Sequence, residues 1–163
     1  MAKPIHDKIR RSLQAAEGLY HRLVLLVGET GSGKTRVLRD VAEEFEASVI
    51  NVNLALSSEL LELTAKQRSL RLPGILDQIA DKAQALVVLD NLEILFDKDL
   101  KQDPLRLLQG ISRNRAVVAS WMANRPMRIG ARLPQSFFGL CLGRAPMLGS
   151  QRMISRSFRE TQI

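Results

Sequence analysis

The chain has 163 residues, of which 45% are hydrophobic and 25% are charged. This composition is typical of a globular protein with one hydrophobic core, and it excludes fibrous and intrinsically disordered classes. No apolar run approaches the roughly 20 residues that span a bilayer, and the N-terminus MAKPIHDKIRRS lacks a signal-peptide core, so we expect a cytoplasmic protein. The single cysteine, Cys141, excludes an internal disulfide and has no neighbours at metal-ligand spacing.

The net charge of +7 is unevenly distributed along the chain. Residues 1–103 contain 14 basic and 16 acidic side chains, whereas residues 104–163 contain ten arginines and one acidic residue, Glu160. From position 122 onward, the sequence shows neither helical nor strand periodicity. Three interpretations stay open for this atypical basic segment, residues 122–163: a C-terminus foreign to the rest of the chain, a disordered arm that binds nucleic-acid phosphates, or a small folded module.

Residues 1–121 have the apolar pattern of alternating helices and strands. The expected elements, in chain order, are a helix over 4–17, a strand over 22–27, a helix after position 35, a strand over 48–52, a helix from position 58, a chain break at 73–74 followed by a further helix, a strand over 85–89, a helix from position 104 and a strand over 116–119. Such alternation predicts a three-layer α/β sandwich around a parallel sheet, with ligands at the carboxyl ends of the strands. The residues after 121 do not visibly complete this sheet.

Two further expectations concern the middle of this domain. Leu60, Leu61 and Leu63 are predicted to form the buried side of the helix that begins at Ser58. Asp103 followed by Pro104 has the form of a helix cap with proline at the first helical position.

Residues 28–35, with the sequence GETGSGKT, fit the phosphate-binding pattern G-x-x-x-x-G-K-[ST] between a predicted strand and a predicted helix. In such a loop, backbone N–H groups and the helix N-terminus face the phosphates of ATP or GTP. Lys34 is expected to bridge the β- and γ-phosphates during catalysis, and the Thr35 hydroxyl is expected to bind Mg²⁺. The predicted nucleotide-binding residues are Gly28, Glu29, Thr30, Gly31, Ser32, Gly33, Lys34 and Thr35.

Asp90 follows the apolar strand ALVVL, a position from which a carboxylate can hold Mg²⁺ through water, although a strand-end Asp can also be a simple turn residue. Asn91 stands where many ATPases have the glutamate that activates water. Glu93 is the nearest carboxylate able to act as base, unless it is a solvated surface residue. Ser120 at the end of the last predicted strand is a candidate sensor of the γ-phosphate, and Arg113 and Arg115 are weaker candidates for a charge donated to a neighbouring subunit.

The segments VLLVGETGSGKTRVLRDVA, INVNLALSSELLEL, ALVVLDNLEILF and NRAVVASW together resemble the BrxF family of small P-loop proteins from type 3 bacteriophage exclusion (BREX) systems. The resemblance covers about residues 1–121. It implies an AAA-like ATPase that self-associates and works beside other BREX proteins, namely a DNA methyltransferase, a helicase and a phosphatase-like protein, in defence against phage. A member of this family is expected to continue with strand-forming sequence, which the chain from Met122 onward does not resemble.

Three functions are compatible with these residues. The first is an ATPase that couples its nucleotide state to assembly and to engagement of double-stranded DNA. The second is a nucleotide-dependent scaffold that does not hydrolyse ATP, which the asparagine at position 91 would favour. The third is a small-molecule kinase, for which the sequence before position 122 has no evident lid or acceptor-binding arginine cluster.

Overall fold

The centre of the fold is a parallel β-sheet that brings distant parts of the sequence side by side. The computed structural model describes residues 3–83, 85–125 and 137–141. Within these residues the sheet has five strands in the spatial order β2, β3, β4, β1, β5, and all neighbouring strands are parallel. The strands are β1 Leu23–Gly28, β2 Val49–Asn51, β3 Leu86–Asp90, β4 Ala116–Met122 and β5 Phe137–Cys141.

Helices cover both faces of this sheet, which confirms the predicted three-layer α/β architecture. In the described part of the chain the helices are α1 Lys3–Ala16, α2 Lys34–Glu44, α3 Val52–Leu60, α4 Ala65–Asp81 and α5 Pro104–Ile111, with two 3₁₀ helices at Glu93–Phe96 and Lys98–Leu100. One core contains buried residues of α1 and α2, and the other contains buried residues of α3, α4 and α5. Alternate residues of β1 face the two cores, because successive side chains of a strand point to opposite faces.

The strand β1 is buried at all six positions and lies between β4 and β5. A continuous apolar run is what a strand covered on both faces requires, so the sequence pattern identified it correctly. The predicted strands over 85–89 and 116–119 are also confirmed as β3 and β4. The last of these extends to Met122, so Ser120 lies within β4 and not at its end.

Part of the basic segment belongs to the sheet. Phe137–Cys141 forms β5 and pairs with β1, with Phe137 opposite Leu23. The sequence did not predict this strand, because the apolar pair Phe137-Phe138 stands in a context rich in Pro and Gly. The division of the chain at residue 121 stays a prediction, and residues 126–136 and 142–163 lie outside the described residues.

The helix expected from Ser58 begins six residues earlier. Asn51 caps α3, since its side chain accepts a hydrogen bond from the Leu54 N–H at 3.1 Å. The helix ends at Leu60, and Leu61 is 75% exposed, so the predicted burial of Leu61 is wrong. A second cap at Thr64 then starts α4, because Thr64 and Gln67 form a reciprocal capping box. The two caps set the helix boundaries, whereas the apolar pattern alone predicted one helix from Ser58 where the structure has the end of α3 and the start of α4.

The predicted break at Pro73-Gly74 is also wrong, because α4 continues through both residues. A proline inside a helix removes one N–H, and the carbonyl four residues earlier loses its partner. In this chain that carbonyl belongs to Ser69, and it accepts a hydrogen bond from the Gln102 side-chain amide at 2.7 Å. A tertiary contact therefore satisfies the group that Pro73 leaves unpaired.

The buried face of α4 allows a matched test of the core. Leu76 is fully buried, whereas Leu70 on the same helix is 72% exposed. We expect Leu76→Ala to lower the free energy of unfolding by about 2–5 kcal/mol, because it removes buried apolar surface and leaves a cavity. Leu70→Ala, which makes the same change in helix propensity, should cost less than about 0.5 kcal/mol. Urea unfolding monitored by circular dichroism measures both, and equal losses would contradict the assigned face.

Candidate functional site

The loop between β1 and α2 curls back towards the start of the helix. Gly31 and Gly33 have φ angles of +78° and +92°, in the left-handed region that favours glycine. Gly33 is also the N-cap of α2, and no side chain caps the helix there. The first N–H groups of α2 therefore remain available for an anionic ligand at the positive end of the helix dipole.

The side chain of Lys34 folds back onto this loop. Its Nζ atom donates hydrogen bonds to the backbone carbonyl oxygens of Gly28 at 2.8 Å and of Glu29 at 2.6 Å. Burial lowers the pKa of Lys34, while the nearby carboxylates of Asp90 and Glu93 act to raise it. The ammonium group is thus held by neutral carbonyls, which an anionic ligand would replace with stronger charge-assisted hydrogen bonds.

Thr35 and Asp90 meet across the gap between α2 and β3. The Thr35 hydroxyl donates to Asp90 Oδ2 at 2.7 Å, and Asp90 Oδ1 accepts from the Asn91 N–H at 2.9 Å. These two oxygens suit Mg²⁺, which is commonly held by one or two protein oxygens together with phosphates and water. Among the described residues, no three His, Cys, Asp or Glu side chains form a metal site. Phosphate or water oxygens would therefore supply the remaining ligands.

Glu93 is held from α3 by a residue that the sequence analysis missed. The Asn53 side-chain amide donates to Glu93 Oε2 at 2.9 Å, while its oxygen accepts from the Ile94 N–H at 2.8 Å. The Asn53 N–H also donates to the carbonyl of Asn91 at 3.0 Å. Asn53 lies just beyond the carboxyl end of β2, the strand next to β3, and this position was a usable signal for a site residue.

One cavity of about 660 Å³ connects these groups, a volume within the usual range of small-molecule sites. Most predicted site residues line it: Thr30, Gly31, Gly33, Lys34, Thr35, Asp90, Glu93 and Ser120. Gly28, Glu29 and Ser32 do not line it, although the first two bind Lys34 through their carbonyls. Arg36, Arg39 and Asp40 on α2 line it without having been predicted.

Ser120 is buried on β4 between the phosphate loop and Asp90. It pairs with Leu26 of β1, while the preceding Ala119 pairs with Leu89 of β3. Arg113 and Arg115 lie just before the amino-terminal end of β4, whereas the cavity lies at the carboxyl ends of the strands. In this chain Arg115 forms ion pairs with Asp77 and Asp81, and the Arg113 guanidinium lies over the Tyr20 ring.

The sheet and the phosphate loop define the class of protein. A Gly-rich loop between a buried strand and a helix, facing an aspartate at the end of a parallel strand two places away in the sheet, is the arrangement of a P-loop nucleotide-binding protein. The family model described as "ATPase family associated with various cellular activities (AAA)" matches residues 24–138. The chain belongs to this family and is a nucleotide-binding domain of the AAA type.

Comparison with solved structures gives distant similarities. The chain is 18% identical to C. elegans PCH-2, with a TM-score of 0.43, covering 83% of this chain and 39% of that one. It is 16% identical to AMPPCP-bound DnaA from Aquifex aeolicus, with a TM-score of 0.40, covering 96% of this chain and 44% of that one. The chain spans less than half the length of either protein. A search of curated proteins gives no match.

In the part of the chain that the structure describes, no helix is both long and apolar enough to cross a bilayer.

The lowered pKa of Lys34 predicts how nucleotide affinity depends on pH. Phosphates require the charged ammonium, so affinity for ATP should fall as pH rises, beginning below the ordinary lysine pKa of 10.5. Titration with a fluorescent ATP analogue between about pH 7 and pH 10 measures this effect. Lys34→Ala should bind about ten- to a hundredfold more weakly at neutral pH and should lack the alkaline decline.

Lys82→Ala is the matched control, because Lys82 is exposed at the end of α4 and does not line the cavity. It should follow the wild-type curve. An equal alkaline decline in Lys34→Ala would assign the pH dependence to another group.

Proposed function

We propose that this chain binds ATP together with Mg²⁺ and hydrolyses it, and that it couples its nucleotide state to assembly and DNA engagement. The observation that carries this proposal is the convergence of Lys34, Thr35, Asp90 and Glu93 on one cavity. These residues come from α2, from the end of β3 and from the 3₁₀ helix after it. Together they supply a cation for phosphates, oxygens for a metal and a carboxylate for water.

In this mechanism, the phosphates lie over the N-terminus of α2. Lys34 leaves the carbonyls of Gly28 and Glu29 and donates to the β- and γ-phosphate oxygens instead. Thr35 and Asp90 would hold Mg²⁺, Thr35 through its hydroxyl and Asp90 through water. The ion supplies positive charge that neutralises the phosphate oxygens. The protein thereby fixes the triphosphate with its γ-phosphate towards Glu93 and Ser120.

Glu93 acts as the general base. Its carboxylate accepts a proton as a water molecule attacks the γ-phosphorus, and the bond from phosphorus to the bridging oxygen of ADP breaks. Asn53 keeps the carboxylate in place through the 2.9 Å hydrogen bond from its amide. The Ser120 hydroxyl, buried at the same edge of the sheet, donates to the γ-phosphate.

A scaffold that binds ATP without hydrolysing it is the second candidate. Asn91 occupies the position directly after Asp90, and it has a left-handed φ of +54°. An amide cannot accept a proton from water as a carboxylate does. If Glu93 stays bound to Asn53 and never reaches water, the same cavity would hold ATP as a structural ligand.

The cellular role that we propose is defence against phage as part of a BREX system, in the cytoplasm and as a homo-oligomer. Its support is the resemblance of residues 1–121 to the BrxF family, together with membership of the AAA family, whose proteins often oligomerise. The arginines of the basic segment, residues 122–163, provide charge for binding DNA phosphates. The other BREX proteins are the expected partners.

Replacement of Glu93 distinguishes the ATPase from the scaffold. Glu93→Gln keeps the shape and a hydrogen bond to Asn53 but removes the base, so the rate of phosphate release should fall by about 10²- to 10⁴-fold with nucleotide affinity unchanged. Glu62→Gln, at an exposed residue outside the cavity, should behave like the wild type. Phosphate release at background in the wild type, with and without DNA, would instead favour the scaffold.

Coupling to assembly and DNA is tested on the full chain. In the presence of ATP, sedimentation should show a larger species, and the affinity for double-stranded DNA should rise by about fivefold or more. Lys34→Ala keeps the basic segment but should lose this ATP dependence. DNA binding that is equal with and without ATP, and that weakens with salt, would reduce the DNA effect to the charge of the arginines.

The same pair of variants tests the cellular role. In bacteria that carry the complete BREX system, Lys34→Ala should lose protection against phage, measured as plating efficiency, and Lys82→Ala should keep it. Full protection by Lys34→Ala would contradict a role for nucleotide binding in defence.

A further inference from the structure

The 3₁₀ helix Glu93–Phe96 is fixed at both of its ends. Asn53 holds Glu93 at its beginning. At its end, the Phe96 ring meets the Trp121 ring edge-on, with centroids 5.0 Å apart, and the guanidinium carbon of Arg125 lies 5.2 Å from the Phe96 centroid. Phe96 also lines the nucleotide cavity, whereas Arg125 does not, and the mechanism above uses neither contact of the Phe96 ring.

The chain that leaves β4, residues 122–125, connects this attachment to the phosphate loop. The Ala123 N–H donates to the Gly28 carbonyl at 3.1 Å, and the Arg125 N–H donates to the Met122 carbonyl at 3.0 Å. The Trp121 indole N–H donates to the Arg125 carbonyl at 3.3 Å. Arg125 is therefore held through its backbone by the end of β4 and holds Phe96 through its side chain.

The Gly28 carbonyl is shared between two donors, the Lys34 ammonium and the Ala123 N–H. When Lys34 moves to the phosphates, this carbonyl keeps only the donor from residues 122–125. Through this shared carbonyl, hydrogen bonds connect Lys34 to the segment that carries Arg125.

We propose that Arg125 is a positioning residue for hydrolysis: through Phe96 it holds the 3₁₀ helix Glu93–Phe96 in register with the phosphate loop. This inference rests on the proposed ATPase function. A guanidinium over an aromatic ring gains from the charge distribution of the ring, and the Arg125 side chain, which does not line the cavity, restrains Phe96 through this contact. Arg125 therefore affects the placement of the Glu93 carboxylate and not the affinity for ATP.

Steady-state kinetics of three variants test this role. Arg125→Ala should lower kcat by about two- to fivefold, the factor that corresponds to an exposed cation–π contact, and should leave KM unchanged. Arg125→Lys keeps a cation over the ring and should restore most of kcat. The matched control is Arg113→Ala, because Arg113 also lies 5.2 Å from an aromatic centroid, that of Tyr20, and lines no part of the cavity.

Trp121 provides a readout that does not require turnover, since it is the one tryptophan in the chain. Binding of a non-hydrolysable ATP analogue should change its emission in the wild type and in Arg113→Ala. The change should be reduced by at least half in Arg125→Ala, although a fluorescent ATP analogue binds that variant with wild-type affinity. Phe96→Leu should show the same reduction at a saturating concentration of the analogue. Because the Phe96 ring lines the cavity, the affinity of this variant for the fluorescent ATP analogue is measured beside the emission change.

The outcomes separate this inference from the proposed function. A wild type that binds ATP without turnover would contradict the proposed ATPase function. In that case the change in Trp121 emission still tests whether Arg125 connects Phe96 to the phosphate loop, because this readout does not require turnover. Turnover and emission of Arg125→Ala that equal those of Arg113→Ala would overturn the positioning role while leaving the ATPase intact. A raised KM with unchanged kcat would also overturn it, because Arg125 would then act on nucleotide binding.

Discussion

The buried ammonium group of Lys34 is the constraint around which the site is built. A charge removed from water must be hydrogen-bonded, and here the acceptors are the carbonyls of Gly28 and Glu29 in the phosphate loop. These neutral acceptors hold the cation while they leave it able to move to phosphate oxygens. The same Gly28 carbonyl also accepts from Ala123, so the end of β1, the first residue of α2 and the segment after β4 share one hydrogen-bonding atom.

The order of the strands brings the other site residues next to the phosphate loop. Because β4 lies between β1 and β3, Ser120 lies between the phosphate loop and Asp90, although these residues are far apart in the sequence. All neighbouring strands are parallel, so their carboxyl ends meet at one edge of the sheet. The β2 strand adds Asn53 at this edge, beside the loop that follows β3. The loop after β1, the end of β3 and Ser120 of β4 therefore line one cavity, and Asn53 after β2 holds Glu93 at its side.

Sequence reasoning succeeded where the cause is local. The apolar runs of β1, β3 and β4 and the phosphate-loop pattern were visible because each lies within a few consecutive residues. It failed where a distant partner decides the outcome: Pro73 is tolerated in α4 because Gln102 binds the Ser69 carbonyl, and β5 is defined by its pairing with β1. Asn53 was missed for the same reason, since its bond to Glu93 joins residues 40 positions apart.

The position of Glu93 explains why so many contacts surround it. A carboxylate directly after Asp90 would lie one residue beyond the end of a buried strand. Asn91 occupies that position, and the nearest carboxylate lies on a 3₁₀ helix, whose single turn has little rigidity of its own. Such a residue needs attachments from outside. Asn53 supplies one from α3, and the contact of Phe96 with Trp121 and Arg125 supplies the other from β4 and the residues after it. Asn91 replaces the glutamate that many ATPases have directly after this aspartate. The contacts of Asn53 with Glu93, and of Trp121 and Arg125 with Phe96, therefore hold in place a carboxylate that lies on a short 3₁₀ helix instead.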